Sequence, residues 1–303
     1  MSIDIIQFLN QPFIQRAFII GVILAILTSI LSVFVVLKRV SLLGDGLAHS
    51  SYGGLALGLY LGIPPLWGGA VVAVLASLGI TKSQRTKKIP PDAAVALFLV
   101  LGLGFGTVLI GLSHAYGFNL ESLLFGSILL VTSEQIYGAL VVLAVALAAV
   151  FAIFKELVFI TFDETQARAA GLRTWVYDYT FSVIAGVSVI ISVPVVGVLL
   201  VAALLVLPGL TSLQVSRSFR QTVILSVAFG TASVVLGLLG SIFLDTASGA
   251  TIVIAALGVF IAVSAGSWLK RNLSSTPRAG GFGASQGQAT DDNPREVPLS
   301  TQK

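Results

Sequence analysis

Residues 18–37 read FIIGVILAILTSILSVFVVL, a run without one charged side chain. About 20 apolar residues cross the hydrocarbon core of a bilayer, so such a run marks a membrane-spanning helix. Comparable runs recur, and spans are expected at 17–37, 42–62, 66–81, 93–113, 135–154, 177–193, 195–213, 222–243 and 250–269. Composition agrees: 56% of residues are hydrophobic and only 10% charged, where soluble domains carry about 25% charged residues. The expected fold is all-α, a polytopic transmembrane helix bundle of about 8–9 spans. LLFGSILLV, at 123–131, is too short to cross. It is expected as a short re-entrant or interfacial helix, tolerated at depth only where protein or water covers its backbone. The stretch 177–213 would be about 55 Å long as a single helix. Two passes turning near Pro194 and Gly197 are therefore expected.

Charge sets an orientation. With the N-terminus outside and nine alternating spans, the inner loops and tail hold 16 of the 17 Lys and Arg residues, leaving only Arg16 outside. That asymmetry is the positive-inside pattern and places the C-terminus in the cytoplasm. It also accounts for the net charge of +4 without a nucleic-acid partner. Residues 1–15 lack a basic n-region, so no secretory signal peptide is expected. The absence of cysteine excludes disulfides, thiolate ligands and thiol nucleophiles. The transmembrane domain is expected over 1–271. The Ser-, Gly-, Pro- and Gln-rich remainder, 272–303, is expected as a disordered cytoplasmic tail.

The chain has no G-x-x-x-x-G-K-[ST] phosphate-binding loop, no H-E-x-x-H, no G-x-S-x-G and no Cys/His cluster. It is therefore expected not to be an enzyme. Function is sought instead among ionisable groups inside spans, each costly unless paired or hydrated. The spans place two there, Asp45 and His49, within KRVSLLGDGLAHSSYGG (38–54). At i and i+4 they share a helical face. A carboxylate with an imidazole suits Zn²⁺, Mn²⁺ or Fe²⁺. Two ligands leave such a site incomplete, so a second copy, a backbone carbonyl or water must finish it. The competing reading is that both hydrogen-bond neighbouring helices and fix packing. Small residues crowd the same helix, among them Gly44, Gly46, Gly53, Gly54 and Gly58, a pattern that brings helices close.

FDETQARAAGLRT, at 162–174, is the most charged inner loop. Asp163 suits an N-cap, Glu164 the first turn and Gly171 the C-terminal stop, which describes a short surface helix. It is either a solvated loop or a docking knob for a cytosolic partner. On the outer side, His114 and Glu121 are candidates for receiving a cation. The competing reading is that they are simply solvated. Asp245 suits the cap of the last helix.

LKRVSLLGDGLAHSSYGGLALG resembles the signature of the zinc/manganese/iron permeases of bacterial ABC importers, in which a basic pair precedes a G-D-x-x-x-H helix. The likeness continues through YLGIPP, ESLLFGSILLVTSE, FDETQARAAGL, VVGVLLVAALLVLPGLTS and SGATIVI, to about residue 270. Gly46 and Ser51–Tyr52 depart from the usual pattern in a loosely kept region.

The resemblance implies a type II-like ABC importer permease in a bacterial or archaeal plasma membrane. It implies a homodimer whose translocation path lies on its two-fold axis. A cytosolic ABC ATPase subunit would dock on each copy, and an extracytoplasmic metal-binding protein would deliver the ion. Asp45 and His49 map onto the metal-handling pair. The coupling helix maps onto 162–172, with Asp163, Glu164, Ala167, Arg168 and Gly171 as docking residues. No cofactor is permanently bound; the metal is cargo, with zinc first and manganese or iron as alternatives. The alternative function is a secondary cation/proton transporter with Asp45 and His49 as relay, which would leave the 162–172 loop without a purpose. An intramembrane enzyme is the remote third class.

Overall fold

The computed structural model describes residues 11–86, 88–113, 133–244 and 246–274. The segment 123–131, His114, Glu121, Asp245 and the tail beyond Ser274 lie outside the described residues. Every regular element among the described residues is a helix: α1 (Pro12–Leu37), α2 (Leu43–Leu61), α3 (Pro65–Thr86), α4 (Pro91–Leu112), α5 (Ser133–Ala152), α6 (Phe154–Phe162), α7 (Glu164–Ala169), α8 (Thr174–Val196), α9 (Val198–Leu204), α10 (Leu207–Val215), α11 (Phe219–Leu244) and α12 (Ser248–Ser274).

Six of these helices are long and apolar enough to cross a bilayer, and the pair α5–α6, bent by 59°, makes up to 7. The two remaining expected spans are helical but fall short of that test for different reasons. α2 has 19 residues, enough for about 28 Å at 1.5 Å per residue. Asp45, His49 and its glycines dilute its apolarity. The stretch expected as one span over 195–213 is broken into α9 and α10. α8 stops at Gly197, whose φ of 88° and ψ of 156° define a backbone conformation reached almost only by glycine. A second interruption falls at Leu205–Val206, before Pro208.

α1 is the central helix. In its most apolar window 72% of residues are buried inside the protein, against 11% for α12. Leu24, Leu27, Leu31 and Phe34 are fully enclosed. At the far end of α1, Phe34 meets Phe154, Phe181 and Phe219 with ring centroids 5.7, 6.1 and 5.8 Å away. That cluster pins α6, α8 and α11 to one end of the bundle. Large apolar side chains on the outside of the bundle, such as Val100, Phe105, Ile224 and Ile254, are exposed on the protein itself. Helices satisfy their own backbone, so a surface of this kind faces lipid at no polar cost.

α2 is held most closely by α3 and α4, and its glycines explain how. A Cβ placed on Gly53 would lie 2.8 Å from the Gly102 carbonyl oxygen of α4. One on Gly54 would lie 2.6 Å from the Gly68 carbonyl oxygen of α3. Backbones touch directly at both seams, the small-residue mode of packing between membrane helices. Ser50 adds a polar stitch, its hydroxyl donating to Gly46 O at 2.7 Å and Phe98 O at 3.0 Å. Gly102→Val should therefore push α4 off α2, a cost of about 1–3 kcal/mol or more. Gly104→Val, one position where a Cβ meets nothing within 4 Å, serves as control. Thermal unfolding in detergent should drop for the first and stay unchanged for the second.

Candidate metal path and docking site

Asp45 lies in the first turn of α2, where a carboxylate is favoured by the positive end of the helix dipole. α2 is covered almost all round. Gly46 and Gly53 face α4, Gly54 and Gly58 face α3, and Gly44 sits against Ala202 and Leu205 at the end of α9. Asp45 and His49, in its first two turns, are only half-buried, next to the exposed Leu42; every residue from Ser50 to Ala56 is buried, and exposure returns only at Tyr60. Asp45 and His49 are near enough to act on each other electrostatically. No group of three or more His, Cys, Asp or Glu side chains that could hold a metal occurs among the described residues. Asp45 and His49 thus lie one turn apart on α2, each half-buried.

The second region lies at the end of the bundle where α1 and α3 finish. α7 forms at 164–169 with the expected caps. The Asp163 side chain accepts from Gln166 N at 2.8 Å, and Gly171 takes a φ of 86° just past the helix. Leu172 N donates to Ala167 O at 3.1 Å, closing the turn. Ala167 is buried, which seats the short helix, while Glu164 and Arg168 stay largely open.

Those two residues do not stand alone. Glu164 Oε1 receives Arg168 Nη2 and lies 3.8 Å from Arg85 Nη1 at the end of α3. Arg85 also donates to Asp178 Oδ2 on α8, and the other oxygen of Asp178 receives Lys38 Nζ at 2.8 Å from the end of α1. Lys38 Nζ stands 5.1 Å from the centre of the Phe181 ring. The result is one alternating chain, Lys38–Asp178–Arg85–Glu164–Arg168. It borders a cavity of about 330 Å³ shared by the α1–α2 turn (Val40, Leu43), Thr81, Gln84 and Ser182.

Residues 10–267 match the family model described as "ABC 3 transport family". The chain belongs to the ABC 3 transport family. A relative from the ycf23-apcF intergenic region of Cyanophora paradoxa, an uncharacterized membrane protein, is 32% identical over 80% of this chain and 81% of its own length. A manganese transport system membrane protein of Listeria monocytogenes is 27% identical over 83% and 90% respectively. A solved structure of PsaBC from Streptococcus pneumoniae in complex with Fab superposes with a TM-score of 0.76 at 30% identity, covering 87% of this chain and 95% of that one. The chain is thus an ABC transporter permease subunit; such subunits carry no ATPase motif, and a partner subunit hydrolyses ATP.

Sequence reasoning found α2 and α7 in this permease but missed the chain of ion pairs that ties α7 to α3, α8 and the end of α1. Asp178 is the second residue of the span expected at 177–193, so Asp45 and His49 are not the only ionisable groups in the spans. Arg85 counted there only as a positive-inside marker, and Lys38 as that and as one of the basic pair before the G-D-x-x-x-H helix. The available signal was an acid at the start of an apolar run, opposite two basic helix ends. No sequence spacing says that these three ends converge.

Burial by itself works to raise the Glu164 carboxyl. The Arg168 guanidinium, the Thr174 hydroxyl and Arg85 outweigh it and hold the group below its ordinary value of 4.5. A folded-state value below the unfolded one means the added stability is complete above pH 4.5 and lost only as pH falls through the lower folded value. Amide-exchange protection factors of α7 should accordingly be flat from neutral pH down to 4.5. Protection that declines at higher pH would contradict this account of Glu164.

Proposed function

We propose that this permease passes a divalent transition metal ion inward along the strip of α2 that carries Asp45 and His49. The observation that carries this reading is the exception in the packing of α2: glycine seams close it on α3 and α4, while an acid and an imidazole in its first two turns stay only half-buried. A second copy facing that strip would bring two carboxylates and two imidazoles together around a two-fold axis. Hard and borderline first-row cations accept such donors, and Zn²⁺, Mn²⁺ and Fe²⁺ are all within their range. The Listeria relative is named for manganese, and we take Mn²⁺ as the first cargo to test, with Zn²⁺ second. An extracytoplasmic binding protein would deliver the ion on the side of His114 and Glu121.

In the same reading, α7 is the surface on which the cytosolic ATPase subunit docks, through Asp163, Glu164, Ala167, Arg168 and Gly171. Its short, doubly capped form and its position beside the basic ends of α1 and α3 support an inner-face location. ATP binding in that partner would drive the change of access at α2.

Uptake of Mn²⁺ and Zn²⁺ by the reconstituted complex tests the path. Loss of a supporting partner of a metal ligand costs roughly 10–100-fold. Asp45→Ala or His49→Ala should therefore lower uptake by at least about tenfold, with membrane insertion and ATPase association intact. Normal uptake in both variants would remove the assignment. Deletion of 163–171 should end co-purification of the ATPase subunit, and retained binding would refute the docking role. Accumulation of metal by this chain alone in liposomes, driven by protons without ATP, would replace the reading with a secondary transporter.

A further inference from the structure

We propose that Asp178 is a positioning residue for transport, the joint through which movement of α7 reaches the Asp45/His49 strip of α2. The inference rests on the docking role proposed for α7 and goes beyond it by naming the load path.

Three observations carry it. Asp178 spends each carboxylate oxygen on a different helix end, Oδ1 on Lys38 of α1 and Oδ2 on Arg85 of α3. Arg85 in turn is the residue that reaches Glu164 of α7, at 3.8 Å. The chain therefore runs unbroken from the proposed docking helix to the last residues of α1. Side-chain exposure falls along it, from 56% at Arg168 to 45% at Glu164, 25% at Arg85 and 19% at Asp178 and Lys38. Its inner end is the less hydrated one, where ion pairs are stiffest and least screened.

The third observation is the turn that Lys38 begins. Arg39 adopts a φ of 58°, the one non-glycine positive φ among the described residues. Val40 N bonds Val35 O and Arg39 N bonds Val36 O, each at 3.0 Å, so the turn is a fully bonded left-handed helix stop. Such a turn has little slack. Leu43 N then bonds Val40 O at 2.9 Å and starts α2, two residues before Asp45. A displacement of Lys38 is handed directly to the first turn of α2. The cavity of about 330 Å³ between α7, α8 and this turn gives those elements room to shift without breaking the apolar core.

The experiment uses the full complex in proteoliposomes, with uptake of Mn²⁺ or Zn²⁺, whichever the wild type accumulates, divided by ATP hydrolysed. Asp178→Asn keeps shape and removes the charge, and Asp178→Glu keeps the charge. Lys38→Gln cuts the same link from the other side while leaving Asp178 paired with Arg85. We expect the ATPase subunit to co-purify in all three. Metal moved per ATP should fall at least tenfold in Asp178→Asn and Lys38→Gln and recover to within twofold in Asp178→Glu. The double variant Lys38→Gln/Asp178→Asn should be no worse than either single one, because one link is cut once.

A wild-type ratio of metal to ATP in Asp178→Asn would overturn the proposal. So would losses in the double variant that multiply. Should Asp178→Asn fail to assemble, Lys38→Gln decides alone, and full coupling in it overturns the proposal. Retained ATPase binding after deletion of 163–171 would sink the docking reading and this one with it. Lost binding there, together with full coupling in Asp178→Asn, would sink only the joint.

Discussion

Backbone-to-backbone contact between α2 and its neighbours is the constraint on which the rest depends. Inside a bilayer the hydrophobic effect does not draw helices together, because lipid tails are as apolar as leucine. Association must come from close fit. Gly53 against Gly102 and Gly54 against Gly68 let peptide groups touch. A helix as polar as α2, which falls short of the apolarity of a free-standing span, can then be held at membrane depth by protein alone. Its ionisable pair sits half-buried in the first two turns of a helix that is otherwise enclosed.

The two ends of the molecule divide the physics between them. Around the middle of α1, van der Waals contact does the holding, with the Thr28 hydroxyl turned back to Leu24 O at 2.8 Å and Ser32 Oγ accepting from Gly209 N of α10 at 2.9 Å. At the end where α1 and α3 finish, a phenylalanine cluster lies beneath a row of alternating charges. Removing one member of such a row leaves its neighbour unpaired in a half-dry site, which is costlier than the pair is stabilising. A row of that kind specifies an arrangement more than it adds stability. That suits a connection between a docking helix and a transport helix, where position matters.

Much of this was legible in the sequence. The apolar runs gave the bundle, because twenty uncharged residues have few other fates. The D-x-x-x-H spacing put Asp45 and His49 on one face by helical geometry. Asp163 and Gly171 marked the ends of α7 through the chemistry of capping and of the left-handed stop. These are local rules, and local rules survive without knowledge of the partners. Less legible was 195–213, where apolarity alone suggested one span. The glycine at 197 and the second break at 205–206 divide it into two short helices, since hydropathy reports burial and not continuity of backbone hydrogen bonding.

The sequence by itself determined which segments are helices in lipid, which helix carries an acid and an imidazole on one face, and which short surface helix is capped at both ends. All of these follow from interactions spanning a few residues. Only the tertiary structure decided that Asp45 and His49 stay half-buried while Ser50 to Ala56 are wholly covered. It alone brought Lys38, Arg85 and Asp178, distant in sequence, into one ion-paired chain with Glu164 and Arg168. The reason is that helix ends meet through packing of whole faces. A single aspartate at the start of an apolar run does not announce which two cations will reach it.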